Sequence, residues 1–255
     1  MNETFHPTQA EASDREAAVW NVRLPWVAGV AMALVPVLLT TVGFAVAGAT
    51  HQSDRVTYLA GAAATAVSAV VGFLIMVAAK PTLAQFGFRK PENVRKALWF
   101  VPAALLPPIA FFATGFSVSP SLVLGFVSMA GAAAFNEEIW YRGLVMSVFR
   151  NRGTKVAVAV SSILFGVLHL VNLFGGKSIT YAALQFVFAV LFGLVAAELY
   201  AITRSLVPAI VWHATYDTAA YLSGDSLSTP ALVAIAVMVA ILVAYAIFLW
   251  RKLPR

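Results

Sequence analysis

Apolar runs of membrane-spanning length recur along most of the chain, and they limit the folds open to it more than any other feature. A helix needs about 20 mostly apolar residues to cross the hydrocarbon core of a bilayer. This length predicts eight spans, at about 25–48, 56–79, 97–115, 121–148, 156–174, 179–202, 206–223 and 229–250. We therefore predict an all-α, polytopic integral membrane protein with about eight transmembrane helices.

The composition supports this fold class and argues against several others. Apolar residues make up 61% of the 255 positions and charged residues 11%, whereas soluble domains carry about 25% charged residues. So much apolar surface cannot be buried inside a soluble fold of this size. We therefore expect neither a disordered chain nor a disulfide scaffold, and no nucleic-acid partner. The absence of cysteine also excludes thiolate nucleophiles and cysteine-bound metals.

The basic residues between the spans are distributed unequally over the two sides. Fourteen Lys and Arg residues flank the spans on one side and two on the other, with Arg142 inside a span. Basic residues collect on the cytoplasmic side of membrane proteins, so both termini are predicted to be cytoplasmic. The fourteen are Arg15, Arg23, Lys80, Arg89, Lys90, Arg95, Lys96, Arg150, Arg152, Lys155, Arg204, Arg251, Lys252 and Arg255, and the two are Arg55 and Lys177.

Residues 1–24 differ from the rest of the chain because they are polar. Their acidic residues are Glu3, Glu11, Asp14 and Glu16. We predict a solvated cytoplasmic tail here. A cleaved signal peptide is not expected, because the leading region is acidic and the apolar run after it is too long. Residues 25–255 contain no repeat or linker and predict a single membrane-embedded domain.

Ionisable residues inside the predicted spans are few, and most of them fall in three spans. Each such group costs at least about 2.5–3.5 kcal/mol at the centre of a bilayer, so those present need a reason. The fourth, fifth and seventh spans together hold Glu137, Glu138, Arg142, His169, His213 and Asp217. This clustering favours a functional site over packing. Glu198, alone in the sixth span, is expected to be structural.

The spacing within the cluster assigns different tasks to its members. Glu138 and Arg142 are four residues apart, so they share a helix face and can pair. Glu137 is turned by about 100° from Glu138 and can point elsewhere. A free carboxylate of this kind could deprotonate a water that His169 helps to hold. His213, with Asp217 four residues further on, could stabilise an oxyanion.

Other chemistries remain open at this point. Glu137, Glu138, His169 and His213 could assemble a zinc site from separate helices, although no HExxH motif is present. Buried carboxylates and histidines also form proton relays in transporters. Against a transporter, the sequence has no inverted repeat and no pair of broken helices in two halves.

Three motifs in this order resemble those of a known family. Glu-Glu-x-x-x-Arg occupies residues 137–142, Phe-x-x-x-His occupies 165–169, and His-x-x-x-Asp occupies 213–217. Each lies inside a predicted span. The chain thereby resembles the CPBP intramembrane proteases, also called the ABI family, which include the type II CAAX prenyl endopeptidases.

The resemblance implies an intramembrane glutamic endopeptidase without a cofactor, with zinc as the alternative. It implies that Glu137 is the base assisted by His169, and that Glu138 and Arg142 organise Glu137. His213 and Asp217 would form the oxyanion side, and Phe165 would support His169. Asp217 stands where eukaryotic prenyl-processing members typically have Asn. Because an ionised carboxylate only accepts hydrogen bonds, Asp217 would then orient His213.

The resemblance also implies a class of substrate. A site at bilayer depth is reached most easily from the membrane, so a membrane-associated protein or peptide is expected. CAAX-type and bacteriocin-type processing both remain open. The compact, Ala- and Val-rich chain is typical of a bacterial protein, which predicts the bacterial cytoplasmic membrane as its location.

Overall fold

The computed structural model describes residues 22–79, 81–91, 94–224 and 227–254. Within these ranges every regular element is helical. Almost all of the predicted tail at 1–24 lies outside the described residues, as do Arg15, Lys80 and Arg255.

The helices follow the predicted spans closely in all but one place. The α-helices are α1 Pro25–Ala49, α2 Asp54–Ala78, α3 Val94–Ala97, α4 Leu106–Thr114, α5 Pro120–Glu137, α6 Met146–Phe149, α7 Thr154–Leu168, α8 Ile179–Thr203, α9 Leu206–Ser223 and α10 Thr229–Trp250. A π-helix, Glu138–Val145, joins α5 to α6. Short 3₁₀ turns occur at Leu98–Phe100, Ala103–Leu105, Arg150–Arg152 and His169–Leu173.

Helices of spanning length confirm the predicted fold class. Among the described residues, six helical segments are long and apolar enough to cross a membrane: Pro25–Ala49, Asp54–Ala78, Pro120–Arg152, Thr154–Leu173, Ile179–Thr203 and Thr229–Trp250. The seventh predicted span is the 18-residue helix α9, which is too polar for that group because it carries His213 and Asp217. The protein is a polytopic, all-helical membrane protein.

The segment predicted as one helix at 97–115 is broken. Only α3, two 3₁₀ turns and α4 form there. The physical reason is the prolines at 102, 107 and 108, which lack an N–H and clash with the preceding turn. The predicted span at 97–115 is therefore present as short helical pieces that are interrupted around its prolines.

The broken segment nevertheless follows α9. The indole N–H of Trp212, six residues into α9, donates to the Ala103 carbonyl at 2.9 Å. At the end of the segment, the Thr114 hydroxyl donates to the carbonyl of Ser223, the last residue of α9, at 3.1 Å. The segment therefore lies alongside α9 from the first third of that helix to its end.

Contacts between helix ends define a basic end of the bundle. The Arg152 guanidinium lies 5.7 Å from the ring of Trp26, and Arg150 donates to the Gln85 carbonyl at 2.8 Å. Both described chain ends, near residues 22 and 254, lie at this same end because α1 begins and α10 finishes there. The Lys and Arg residues described at this end are Arg23, Arg89, Lys90, Arg95, Lys96, Arg150, Arg152, Lys155, Arg204, Arg251 and Lys252.

The π-helix forms the centre of the bundle, and every one of its eight residues is buried. It contacts α1, α2, α7, α8 and α9. Tyr141 donates from its hydroxyl to the Ala33 carbonyl at 3.1 Å, and Trp140 donates to the Ser68 hydroxyl at 3.1 Å. Because π winding displaces the regular backbone bonds, the Ser161 hydroxyl satisfies the Tyr141 carbonyl, at 2.9 Å.

Candidate active site

Glu138 and Arg142 form a buried ion pair at the floor of the site. Arg142 Nη1 lies 3.1 Å from Glu138 Oε1, and both side chains are 0% exposed. The other guanidinium nitrogen, Nη2, donates to the Gly193 carbonyl on α8 at 3.3 Å. A charge this deep requires a partner, and each of these side chains supplies the other's. The spacing of four residues thus produces the pairing that it predicts, although on a π-helix.

Three carboxylates of the site lie around the ring of His213 on α9. Its Nδ1 lies 2.9 Å from Glu138 Oε1, within hydrogen-bond distance. Because an ionised carboxylate only accepts, Nδ1 carries the proton of this bond. The opposite nitrogen, Nε2, lies 3.6 Å from Glu137 Oε2 and 3.5 Å from Asp217 Oδ2. Glu138 therefore holds one ring nitrogen, and Glu137 and Asp217 both face the other.

These carboxylates differ in exposure: one is fully buried and two are partly exposed. Glu138 is sealed in the protein, whereas the side chain of Glu137 is 24% exposed and that of Asp217 is 22% exposed. The His213 side chain between them is 4% exposed. Glu137 and Asp217 are thus partly accessible from outside the protein, whereas Glu138 and Arg142 are not.

His169 begins the 3₁₀ turn that follows α7, and its tautomer is determined by one contact. Its Nδ1 lies 2.7 Å from the Phe165 carbonyl. A carbonyl only accepts, so Nδ1 carries the hydrogen and the neutral ring keeps its lone pair on Nε2. The charged neighbours of His169 include Asp217 and His213. The expected assistance to Glu137 would therefore pass by way of these two residues or a water.

Phe165 is the side chain that joins the two halves of the site. The Arg142 guanidinium lies 4.5 Å from its ring centre. Its ring centre is 4.6 Å from that of His169 and 5.9 Å from that of His213. One aromatic ring thus packs against the buried cation and both histidines, which supports the expectation that Phe165 has a supporting role.

Residues of all three motifs lie close to His213, and a comparison with known families covers the same stretch of the chain. Residues 119–219 match the family described as type II CAAX prenyl endopeptidase Rce1-like. This confirms the resemblance predicted from the motifs. The Rce1-like segment runs from the start of α5 to near the end of α9 and includes every candidate site residue. It supports a protease. No curated protein matches the chain.

Two residues of the Rce1-like segment belong to the site although the sequence gives little sign of it. Phe192 on α8 lies 4.9 Å from the His213 ring and stacks on Trp212 at 4.2 Å. Gly193 supplies the carbonyl that Arg142 binds. A Cβ added to Gly193 would lie 3.0 Å from Phe165 Cδ1. Both residues look like ordinary members of an apolar span, and only the tertiary packing brings them here.

Glu198 lies apart from this constellation. Its side chain is fully buried in α8, and neither carboxyl oxygen has a hydrogen-bond partner in the described structure. The charge of Glu198 acts electrostatically on Tyr245 of α10. The segment therefore contains one carboxylate at depth that has none of the partners found at His213.

Glu138 is not available as a zinc ligand, because its Oε1 is held by Arg142 and by His213 Nδ1. A catalytic zinc site needs three protein ligands around the ion. Over the described ranges, no three His, Asp or Glu side chains are arranged so that they could hold a metal ion.

Proposed function

We propose that the protein is an intramembrane endopeptidase in which Glu137 activates a water to hydrolyse a peptide bond of a membrane-associated protein or peptide. The observation that carries this proposal is the division of the carboxylates around His213. One is closed off by an arginine, whereas two are open and face the same ring nitrogen.

Glu137 is the better candidate for the base than Glu138. Glu138 already accepts from His213 Nδ1 and pairs with Arg142, and nothing can reach it from outside. Glu137 is open and 3.6 Å from His213 Nε2, which leaves its oxygens available to a water. Glu137 would take the proton as the water attacks the scissile carbonyl, and it would return the proton to the leaving amine.

His213 and Asp217 would act on the other side of the reacting carbonyl. With Nδ1 committed to Glu138, a protonated His213 presents Nε2–H to the space between Glu137 and Asp217. A donor of this kind stabilises a developing oxyanion. Asp217 would hold the positive charge of that ring in place, and the lone pair of His169 Nε2 would accept from the attacking water.

The depth of the site supports a substrate held at the membrane. His213 lies seven residues into α9, or about 10 Å along the helix from the basic end. His169 lies fifteen residues beyond the start of α7, or about 22 Å. Both histidines thus lie inside spanning segments and away from the basic helix ends, where a peptide held at the membrane would meet them. We propose CAAX-type processing of a carboxyl-terminal segment, in keeping with the matched family, with bacteriocin-type processing as an alternative outcome.

We propose that the basic end faces the cytoplasm of a bacterium, because basic residues collect on that side. Both termini would then be cytoplasmic. Reporter fusions after residues 95, 152 and 254 should report cytoplasm, and fusions at 52 and 176 should report the other side. A cytoplasmic signal at 176 would contradict the topology.

The test of the activity is cleavage by the wild-type chain in liposomes. We expect a lipid-anchored peptide to be cut and the same peptide without its anchor to be cut far more slowly. Mass spectrometry of the products identifies the bond. Proton flux across the liposomes without cleavage of any peptide would favour the proton relay instead.

A metal-free reaction is part of this proposal. Elemental analysis of active protein should find well under one zinc per chain, and prolonged chelation should leave activity intact. One zinc per chain, with activity lost on chelation and restored by zinc alone, would contradict it.

A further inference from the structure

Asn172 and Gln185 form an amide pair next to the candidate active site. The side-chain N–H of Asn172 donates to the side-chain oxygen of Gln185 at 2.7 Å. Asn172 lies in the 3₁₀ turn that follows α7, at the end of that helix opposite to the basic end, and Gln185 lies inside the spanning helix α8. The mechanism proposed above uses neither residue.

The geometry of the 3₁₀ turn relates Asn172 to His169. Side chains three residues apart eclipse each other in a 3₁₀ helix, and His169–Leu173 is such a turn. His169 and Asn172 therefore project on the same side. The turn rises about 2 Å per residue, so Asn172 lies about 6 Å beyond His169 along its axis.

Aromatic contacts relate Gln185 to the same region from the other helix. Gln185, Phe188 and Phe192 follow the spacing of one face of α8. Phe188 stacks on Tyr216 of α9 with ring centres 5.2 Å apart, and the ring centre of Phe192 lies 4.9 Å from that of His213. The face of α8 that carries Gln185 is therefore the face that meets the site.

The hydrogen bond within the amide pair leaves part of its bonding capacity unused. Asn172 Oδ1 and Gln185 Nε2 make no hydrogen bond to any residue that the structure describes. Both residues are partly exposed, and neither atom is closed off inside the protein. An amide oxygen accepts and an amide NH₂ donates, and lipid chains supply no partner for either. The pair thus presents an acceptor and a donor side by side within the spanning region.

We propose that the amide pair binds the backbone of the substrate peptide, an inference that rests on the proposed function. One edge of an extended peptide offers an N–H to Asn172 Oδ1 and a carbonyl to Gln185 Nε2. An extended chain advances about 3.3 Å per residue, so the 6 Å or so from His169 to Asn172 corresponds to about two residues. The contact therefore falls about two residues from the bond that is cut, and it is independent of the side chains of the peptide.

The test measures kcat and KM for cleavage of a palmitoylated peptide by the full chain in liposomes. Asn172→Leu removes the acceptor, and Gln185→Met removes the donor. As a matched control, Thr40→Val with Thr65→Val removes another side-chain hydrogen bond, of 2.8 Å, between α1 and α2. Neither of those helices carries a candidate site residue. Each variant is assayed with a series of peptides in which one backbone N–H at a time is methylated, and detergent melting curves check folding.

We expect Asn172→Leu and Gln185→Met each to raise KM about fivefold, as for the loss of one hydrogen bond, and to leave kcat within about twofold. The control should leave KM unchanged. Methylation of the N–H about two residues from the cleaved bond should raise KM for the wild type. The same methylation should have no further effect on Asn172→Leu, because the acceptor is already gone. An amide pair that only holds the helices together would not produce this coupling.

Additive effects of Asn172→Leu and methylation at every position would overturn the proposal, as would a fall in kcat at unchanged KM. If Asn172→Leu does not fold, the KM of Gln185→Met decides. Native mass spectrometry of the same peptides bound to a Glu137→Gln chain separates this inference from the proposed function. Coupling in binding, without cleavage by the wild type, would leave the peptide site standing and refute the proposed function. Cleavage by the wild type without coupling would refute the peptide site alone, and the absence of both would refute both.

Discussion

Two places in the bundle hold carboxylates at bilayer depth, and their surroundings differ. At the first, Glu137, Glu138 and Asp217 lie around His213, with Arg142 beneath them. At the second, Glu198 is fully buried but has no hydrogen-bond partner for either oxygen in the described structure. A buried acid is therefore not by itself a sign of chemistry. The cation, the oriented histidine and the access for water make the difference.

Removal of the Arg142 cation beneath the His213 cluster should have the largest effect on stability. Arg142→Met leaves the Glu138 carboxylate buried beside His213 alone, and breaking such a pair costs about 3–5 kcal/mol. We expect a large fall in the free energy of unfolding, measured in mixed micelles by denaturant titration. The double variant Arg142→Met with Glu138→Leu should recover much of it. A single variant as stable as the wild type would show that the pair does not hold the floor of the site.

Replacement of Glu198 is expected to have the opposite effect on the free energy of unfolding. Glu198→Leu removes two buried oxygens that lack partners, so it should stabilise the protein by about 1–3 kcal/mol and leave cleavage unchanged. The same denaturant titration measures the gain. A loss of stability would indicate that Glu198 has a polar partner after all, and a loss of cleavage would place it in the mechanism.

How much of this contrast the sequence could predict depends on the range of each interaction. The apolar runs place α1, α8 and α10 within a few residues of their observed bounds, because burial in lipid depends on local composition. The Glu138–Arg142 contact follows from spacing along one helix. These predictions need no knowledge of the tertiary fold.

Other features arise from packing and have no local signal. The contact between His213 and Glu138 joins residues 75 positions apart, so spacing along one helix indicates the nearness of Asp217 to His213 but not that of Glu138. The π-helix has no periodicity that separates it from an α-helix over eight residues. Its support by Ser161 becomes visible only when α7 lies beside it. The prolines predict the break near residue 102, but they do not predict the path that the chain takes alongside α9.

The smallest predicted effect is the change in kcat when Asp217, one of the two accessible carboxylates beside His213, is replaced. Asp217→Asn keeps the volume and adds a donor, so we expect kcat to stay within about tenfold of the wild type. Asp217→Ala removes both the charge and the hydrogen bonds, and it should lower kcat further, with KM changing less. If the Asn variant is as inactive as the Ala variant, the negative charge itself is required next to His213.

The central claim is that Glu137 is the base, and one matched pair of variants tests it directly. Glu137→Gln and Glu198→Gln make the same chemical change at two carboxylates of the bundle, and each keeps the volume of the side chain. Cleavage of a lipid-anchored peptide in liposomes is measured for both, with detergent melting curves as the check on folding. We predict that Glu137→Gln lowers kcat by at least about a hundredfold, in line with the loss of a general base. Glu198→Gln should cleave like the wild type. Wild-type cleavage by a folded Glu137→Gln variant would contradict the account.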